Sequence, residues 1–372
     1  MDNDQMDDIN PVFIPGLELS RIFYQQAVKP ILDKNFSELS YSAALIGGGS
    51  EVLGYDTALS RDHNWGPRVT LFLSERDYPL LKDRITQVLS ENLPYIFMGY
   101  SINFSLPEPN GVRCLADITS SSVNHRVDVF TTRSFFETCL KLDPFLPLTV
   151  IDWLTFPQQI LLELVSGEVF YDGLDELNQV RGKFAYYPGD VWLYVLASQW
   201  TKISQEEAFA GRCSDVSDEL GSQIVAARIV RELMRLCFLM EKTYAPYSKW
   251  FGTAFSRLRS AKALSPVLRN VLLAESMKER EGFLSEAYKK VAELHNALGI
   301  TEPLPTHVST YHDRPYLVIH ADRFADAIRR QIKDAEVMAI KSNIGSVDQF
   351  MDSTDVLSSP EVFSNLEIWS SE

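Results

Sequence analysis

Cysteine is scarce: Cys114, Cys139, Cys213 and Cys237 are the only four in 372 residues, and no two form a CxxC pair. That spacing excludes a zinc knuckle or a dithiol redox motif and predicts free, at least partly buried thiols. Long apolar runs are missing too. None approaches the ~18 residues that cross a bilayer, so no membrane partner is expected. The opening MDNDQMDDIN lacks the positive charge of a signal or transit peptide, and a cytoplasmic location is expected. Basic residues are in deficit, 35 Lys and Arg against 50 Asp and Glu, for a formal charge of -15. Binding to a nucleic-acid backbone relies on cations that displace counterions, so nucleic acid is disfavoured and a small-molecule or protein substrate is favoured.

What is present suits a folded enzyme-sized chain. Hydrophobic residues make up 45% and aromatics 11%, which argues against disorder, and the length allows about two domains. Residues 17–34 are apolar at helical spacing, with Pro30 expected to bend or end the helix. Residues 41–46 read as a buried strand and Val69, Leu71 and Leu73 alternate as a second, with a helix over 76–93 between them and the β-rich runs 96–104 and 125–131. Strand and helix thus interleave over 1–150, as in an α/β or α+β domain around one sheet. After a connecting strand and helix segment at 151–187, residues 188–343 read as helices. One starts near Asp190, and another runs over 215–240 with Val216, Leu220, Ile224, Leu233 and Leu236 on one apolar side. Residues 344–372 form a Ser- and Asp-rich tail, expected to be partly mobile. There is no internal repeat and no low-complexity tract.

The first strand runs into Gly47-Gly48-Gly49-Ser50. A P-loop is excluded because no Gly-Lys-Ser/Thr ending follows. A dinucleotide fingerprint and a nucleophile elbow both fail at Val52, where each needs glycine. What survives is a strand, then a Gly-Ser turn opening a short helix, where backbone N–H groups meet an anion. About a dozen residues on, Asp62 and Asn64 alternate with His63 and Trp65. On an extended segment the first two share a face and His63 points away. Asp128, in Val127-Asp128-Val129, sits among apolar neighbours as in a central strand. Oxygen ligands from neighbouring strands suit Mg²⁺ bound with nucleotide phosphates.

Gly49-Ser50, then Asp62-x-Asn64, then Asp128 resembles the DNA polymerase beta-type nucleotidyltransferase superfamily, mainly over residues 40–135. Val169–Gly173 is similar to the strand and turn that follow its catalytic sheet. The phrases LSRDHNWGPR, YPGDVWLYVLASQW, SQEEAFAGR and APYSKWFGTAF resemble, over roughly 40–260, an uncharacterised bacterial nucleotidyltransferase-like family of unknown function. The superfamily implies an α+β chain: a nucleotidyltransferase-type mixed-sheet domain followed by an α-helical bundle, with the active cleft between them. It implies that Gly49 and Ser50 hold the terminal phosphates, that Asp62 and the residue at 64 bind metal, and that Asp128 binds the second ion and acts as base. Mg²⁺ and a nucleoside triphosphate, with ATP expected, would transfer a nucleoside monophosphate to a hydroxyl of a small molecule or protein. The departure is Asn64, where the superfamily usually has a second acid. The alternative is therefore a non-catalytic nucleotide-binding or interaction protein with a degenerate metal site.

Other groups are weighed against plainer roles. Arg228, Arg231 and Arg235 share a helix face. They suit a triphosphate, or equally a solvated and salt-bridged face. Lys249 is a further phosphate candidate. Glu206 and Glu207, at the end of an apolar helix, are candidates to hold or deprotonate the acceptor, or are simply exposed. His307, His312 and His320 follow no metal-ligand spacing.

Overall fold

A computed structural model describes residues 12–109, 111–358 and 369, and of Asp62 only the backbone. The chain divides into two compact units, one of Met1–Leu146 and Leu162–Ala185, the other of Pro147–Leu161 and Tyr186–Glu372. The architecture is α+β, a mixed sheet with many helices.

The first unit begins with α1 (Gly16–Phe23), a π-helical turn Tyr24–Val28 and α2 (Lys29–Asn35). The expected bend at Pro30 is taken up by the wide turn just before it, and Pro30 stands in the first turn of α2, where a missing N–H costs least. The Asp56 carboxylate accepts the Gly16 N–H at 2.7 Å and the Trp65 indole N–H at 2.9 Å, fixing the start of α1. Strands β1 (Tyr41–Leu45) and β2 (Arg68–Leu73) precede α3 (Tyr78–Asn92); the short β3 (Ile96–Phe97) and β4 (Tyr100–Ser101) pair with each other; then come β5 (Arg126–Thr131) and α4 (Thr132–Leu140).

Next come α5 (Val150–Thr155), in the second unit, and α6 (Gln158–Val165), whose residues divide between the units. Strand β6 (Glu168–Asp172) and α7 (Leu177–Lys183) return to the first unit. The sheet order is β5-β2-β1-β6, with β1 antiparallel to both neighbours and β2 parallel to β5. β1 is buried along its whole length, which is why its sequence is a continuous apolar run instead of an alternating one. On one face Phe23, Val28 and Leu32 pack with Ile85 and Leu89 against Ala43, Val69, Leu71 and Val129.

The second unit is mostly helical: α8 (Gly189–Glu206), α9 (Phe209–Asp215), α10 (Glu219–Met240), α11 (Ser248–Phe255), α12 (Ala261–Leu273) and α13 (Met277–Ala297), then a hairpin of β7 (Ser309–Tyr311) and β8 (Arg314–Val318), and α14 (Asp322–Arg329). Trp200 of α8 stacks on Phe324 of α14 at 4.3 Å, with His295 of α13 edge-on to both. On α10, Leu233 and Leu236 are buried, whereas Val216, Leu220 and Ile224, expected on the same apolar side, are exposed. The segment after Ile344 is anchored where it is described. Val347, Asp348 and Gln349 are buried, the Gln349 amide donates to Val195 O and Gln199 Oε1 at 3.0 Å, and the Trp369 indole donates to Gly345 O at 2.8 Å. Among the described residues, no helix is long and apolar enough to cross a membrane.

Candidate nucleotide site

The glycine turn follows β1 in the first unit. Gly47 and Gly49 have φ of 91° and 144°, a region that side chains avoid. A Cβ on Gly49 would stand 2.6 Å from Glu51 Oε2 and 2.7 Å from Arg68 Nη2. No α-helix opens after Ser50; the segment makes turns instead, with Tyr55 N–H donating to Ser50 O at 2.8 Å. The expected helix N-terminus is therefore not what surrounds the turn. A guanidinium is: Arg68, at the start of β2, donates through Nη2 to Gly48 O at 3.2 Å and pairs with Glu51. The Glu51 side chain is 2% exposed and that of Arg68 11%, so this ion pair is part of the turn's interior.

Asp62 and Asn64 do not lie on an extended strand. Ala58–Asp62 is a 3-10 turn, His63 is extended and exposed, and Asn64 is left-handed at φ 52°. Long-range pairing explains the departure. The Asn64 N–H donates to Arg113 O at 2.7 Å, and Asn64 Oδ1 accepts the Arg113 N–H at 3.1 Å. Asparagine tolerates this conformation better than most residues. The side chain of Asp62 lies outside the described residues.

Asp128 stands on β5, which is an edge strand and not the expected central one. Val127, Val129 and Thr131 point inward while Asp128, 49% exposed, points out, the period-2 alternation of a half-buried strand. The parallel register places Arg126 beside Arg68 and Asp128 beside Thr70. Arg126 joins the two remaining site residues. Its Nη1 donates to Asn64 Oδ1 at 3.4 Å, its Nε lies 3.6 Å from Asp128 Oδ2, and its guanidinium lies over the Phe104 ring at 5.7 Å. Burial, then the nearness of Arg68, pulls Arg126 below the ordinary arginine range, with Arg113 adding to the effect and Asp128 opposing it. Like charges crowded in a half-buried place favour an incoming anion.

Two oxygen donors expected for Mg²⁺, from Asn64 and Asp128, are thus gathered in one place, but around a guanidinium. The Asn64 amide oxygen already accepts from Arg113 N–H and from Arg126, and the Asp128 carboxylate faces a cation already. These donors do not fit a divalent ion. Among the described residues, no group of three His, Cys, Asp or Glu is placed to hold a metal.

In the second unit the remaining candidates have structural partners. Arg228 makes a two-pronged pair with Glu206, Nε to Oε2 at 3.1 Å and a second contact from Nη2 to Oε1. Arg231 pairs with Asp352, and Arg235 Nη1 donates to Asp348 O at 2.7 Å. Glu207, 6% exposed, accepts the N–H groups of Ile319 at 3.0 Å and Ala321 at 3.2 Å; burial pushes its carboxyl up to about 7. Lys249 is exposed, its ammonium 5.0 Å from the Trp250 ring centre. His320 Nε2 hydrogen-bonds Ser309 Oγ at 2.8 Å. None of the four cysteines is in a disulfide, and burial lifts the Cys139 and Cys237 thiols to about 12, which leaves them inert.

Glu51, Arg68, Arg113 and Arg126 escaped the sequence reading. Glu51 directly follows Ser50, and Arg68 and Arg126 each head a β-rich run, a signal that was present but had no meaning until β2 and β5 paired.

Residues 153–251 match a family described as a domain of unknown function, DUF4037. The match includes Glu206, Glu207, Arg228 and Lys249, and leaves Gly49, Ser50, Asp62, Asn64 and Asp128 outside it. No curated protein matches the chain.

Proposed function

We propose that the first unit binds a nucleoside triphosphate, with its phosphates against the Gly48–Ser50 turn, which Arg68 braces from within, and the guanidinium groups of Arg113 and Arg126, and that the site is a degenerate relative of a nucleotidyltransferase centre. One observation carries this reading: Arg126, near enough to Arg113 for the two charges to interact, stands in strand register with Arg68, whose guanidinium braces a glycine turn that only a residue without Cβ can form. Arginine suits phosphate because its planar fork donates two parallel hydrogen bonds. The resemblance of Gly49-Ser50, Asp62-x-Asn64 and Asp128 to the nucleotidyltransferase superfamily supports a nucleotide over a simple anion. Non-catalytic binding is the better-supported form, because an amide stands at 64 and a guanidinium lies between it and Asp128.

A second reading, Mg²⁺-dependent transfer of a nucleoside monophosphate to an acceptor hydroxyl of a small molecule or protein, draws on Asp128. Its half-exposed carboxylate is accessible to an acceptor proton. Calorimetric titration of ATP, GTP, CTP and UTP into the full chain, with Mg²⁺ and with EDTA, tests the proposal. Saturable binding of at least one nucleotide is expected, and silence from all four in both conditions would remove it. Pyrophosphate release on mixing with Mg²⁺ and nucleotide would move the assignment to transfer.

A further inference from the structure

The misfit between the gathered donors and a divalent ion has a chemical counterpart. A metal in a triphosphate site neutralises phosphate charge and ties the nucleotide to the protein's oxygen ligands. Arg126 stands where such a link would run. Its Nε and Nη1 are directed to Asp128 and Asn64, at 3.6 and 3.4 Å. A guanidinium has five N–H donors in a rigid fork, and the two on Nη2 are additional to both contacts. The side chain is 16% exposed and rests over Phe104, so it is held in place instead of sweeping through solvent. The β2–β5 register sets it alongside Arg68, and Arg113 is tied to Asn64 through its backbone. A divalent ion entering here would have to displace the guanidinium that already joins Asn64 and Asp128.

Resting on the nucleotide reading above, we propose that Arg126 is the resident cation of the site and that this chain binds its triphosphate without a divalent metal. Asn64 is then not a weakened metal ligand. It is the neutral acceptor that orients Arg126, and an acid there would draw the guanidinium into a closed ion pair. A metal site that uses Asp62 as a ligand would need its carboxylate for binding; a site whose cation is Arg126 does not.

The test is ATP titration of the full chain in EDTA and in excess Mg²⁺, with Arg126→Gln, Arg126→Lys and Asp62→Asn, each first checked for wild-type circular dichroism and melting. The wild type is expected to bind in EDTA at least as tightly as in Mg²⁺. Arg126→Gln is expected to lose about tenfold to a hundredfold in affinity, the worth of one charge-assisted contact. Arg126→Lys keeps the charge without the fork, so a smaller loss is expected. Asp62→Asn is expected to bind unchanged in EDTA. Binding that requires Mg²⁺ and is lost in Asp62→Asn, with Arg126→Gln behaving as wild type, would overturn this inference and leave the nucleotide reading standing. No binding by any form in either condition would overturn both.

Discussion

Glutamine at position 51 removes one charge from the interior of the glycine turn and little else, because it keeps the volume and one amide oxygen. Glu51 and Arg68 are 2% and 11% exposed, so water has little access to the guanidinium that is left. Removing one partner of a buried pair costs about 3–5 kcal/mol, because the other charge stays buried without compensation. The contact from Arg68 Nη2 to Gly48 O at 3.2 Å survives the change, which places Glu51→Gln near the lower end, roughly 3 kcal/mol. The turn belongs to one of two compact units, so a local assay reads it most directly. Amide hydrogen exchange of Tyr41–Leu45 and Arg68–Leu73, on either side of the turn, is expected to speed up by about two orders of magnitude. Replacing both partners, Glu51→Leu with Arg68→Met, removes the charges together and is expected to recover most of the loss. If Glu51→Gln exchanges like the wild type, or if the double replacement costs the sum of the two single ones, the pair is not the turn's electrostatic core and the argument fails.

Gly49→Ala combines a φ of 144° with a Cβ 2.6 Å from Glu51 Oε2. It is expected to cost about 1–3 kcal/mol for the backbone alone and to abolish nucleotide binding; an unchanged melting curve with intact binding would refute this. Two buried groups in the second unit predict opposing pH slopes. Glu207 is pushed up to about 7 from 4.5, so between those values the folded state holds the extra proton and stability falls as pH rises. His295 is pulled down to about 4 from 6.5 by burial, so there the unfolded state holds the proton and stability rises with pH. Each of these displacements corresponds to roughly 3 kcal/mol. The two nearly cancel in the wild type where their windows overlap, and Glu207→Gln exposes the rising slope in urea unfolding between about pH 4 and pH 6.5. A flat profile in that variant would show that the two groups do not titrate as their burial requires.

Much of the local structure was legible in the residue order. Continuous apolarity marked β1, alternation marked β2, β-rich composition marked β5, and helical spacing marked α3, α8 and α10 to within a few residues of their ends. The glycine turn after β1 was legible from its three glycines, but the helix expected to open after it was not there. Periodicity does not say which part of a stripe is covered. Leu233 and Leu236 lie under neighbours, while Val216, Leu220 and Ile224, in the same pattern, face solvent.

The site itself was decided by tertiary structure. Asn64 left the expected extended path because its backbone and side chain pair with Arg113, a partner 49 residues away that no local pattern encodes. Arg68 and Arg126 became neighbours only through a parallel register across 58 residues. Residues 162–185 joined the first unit because β6 completes the sheet beside β1. The sequence by itself determined which residues carry charge and which segments pair or coil, since those depend on the side chain and its near neighbours. Where the charges meet depends on strand register and long-range hydrogen bonds, and only the folded chain sets those.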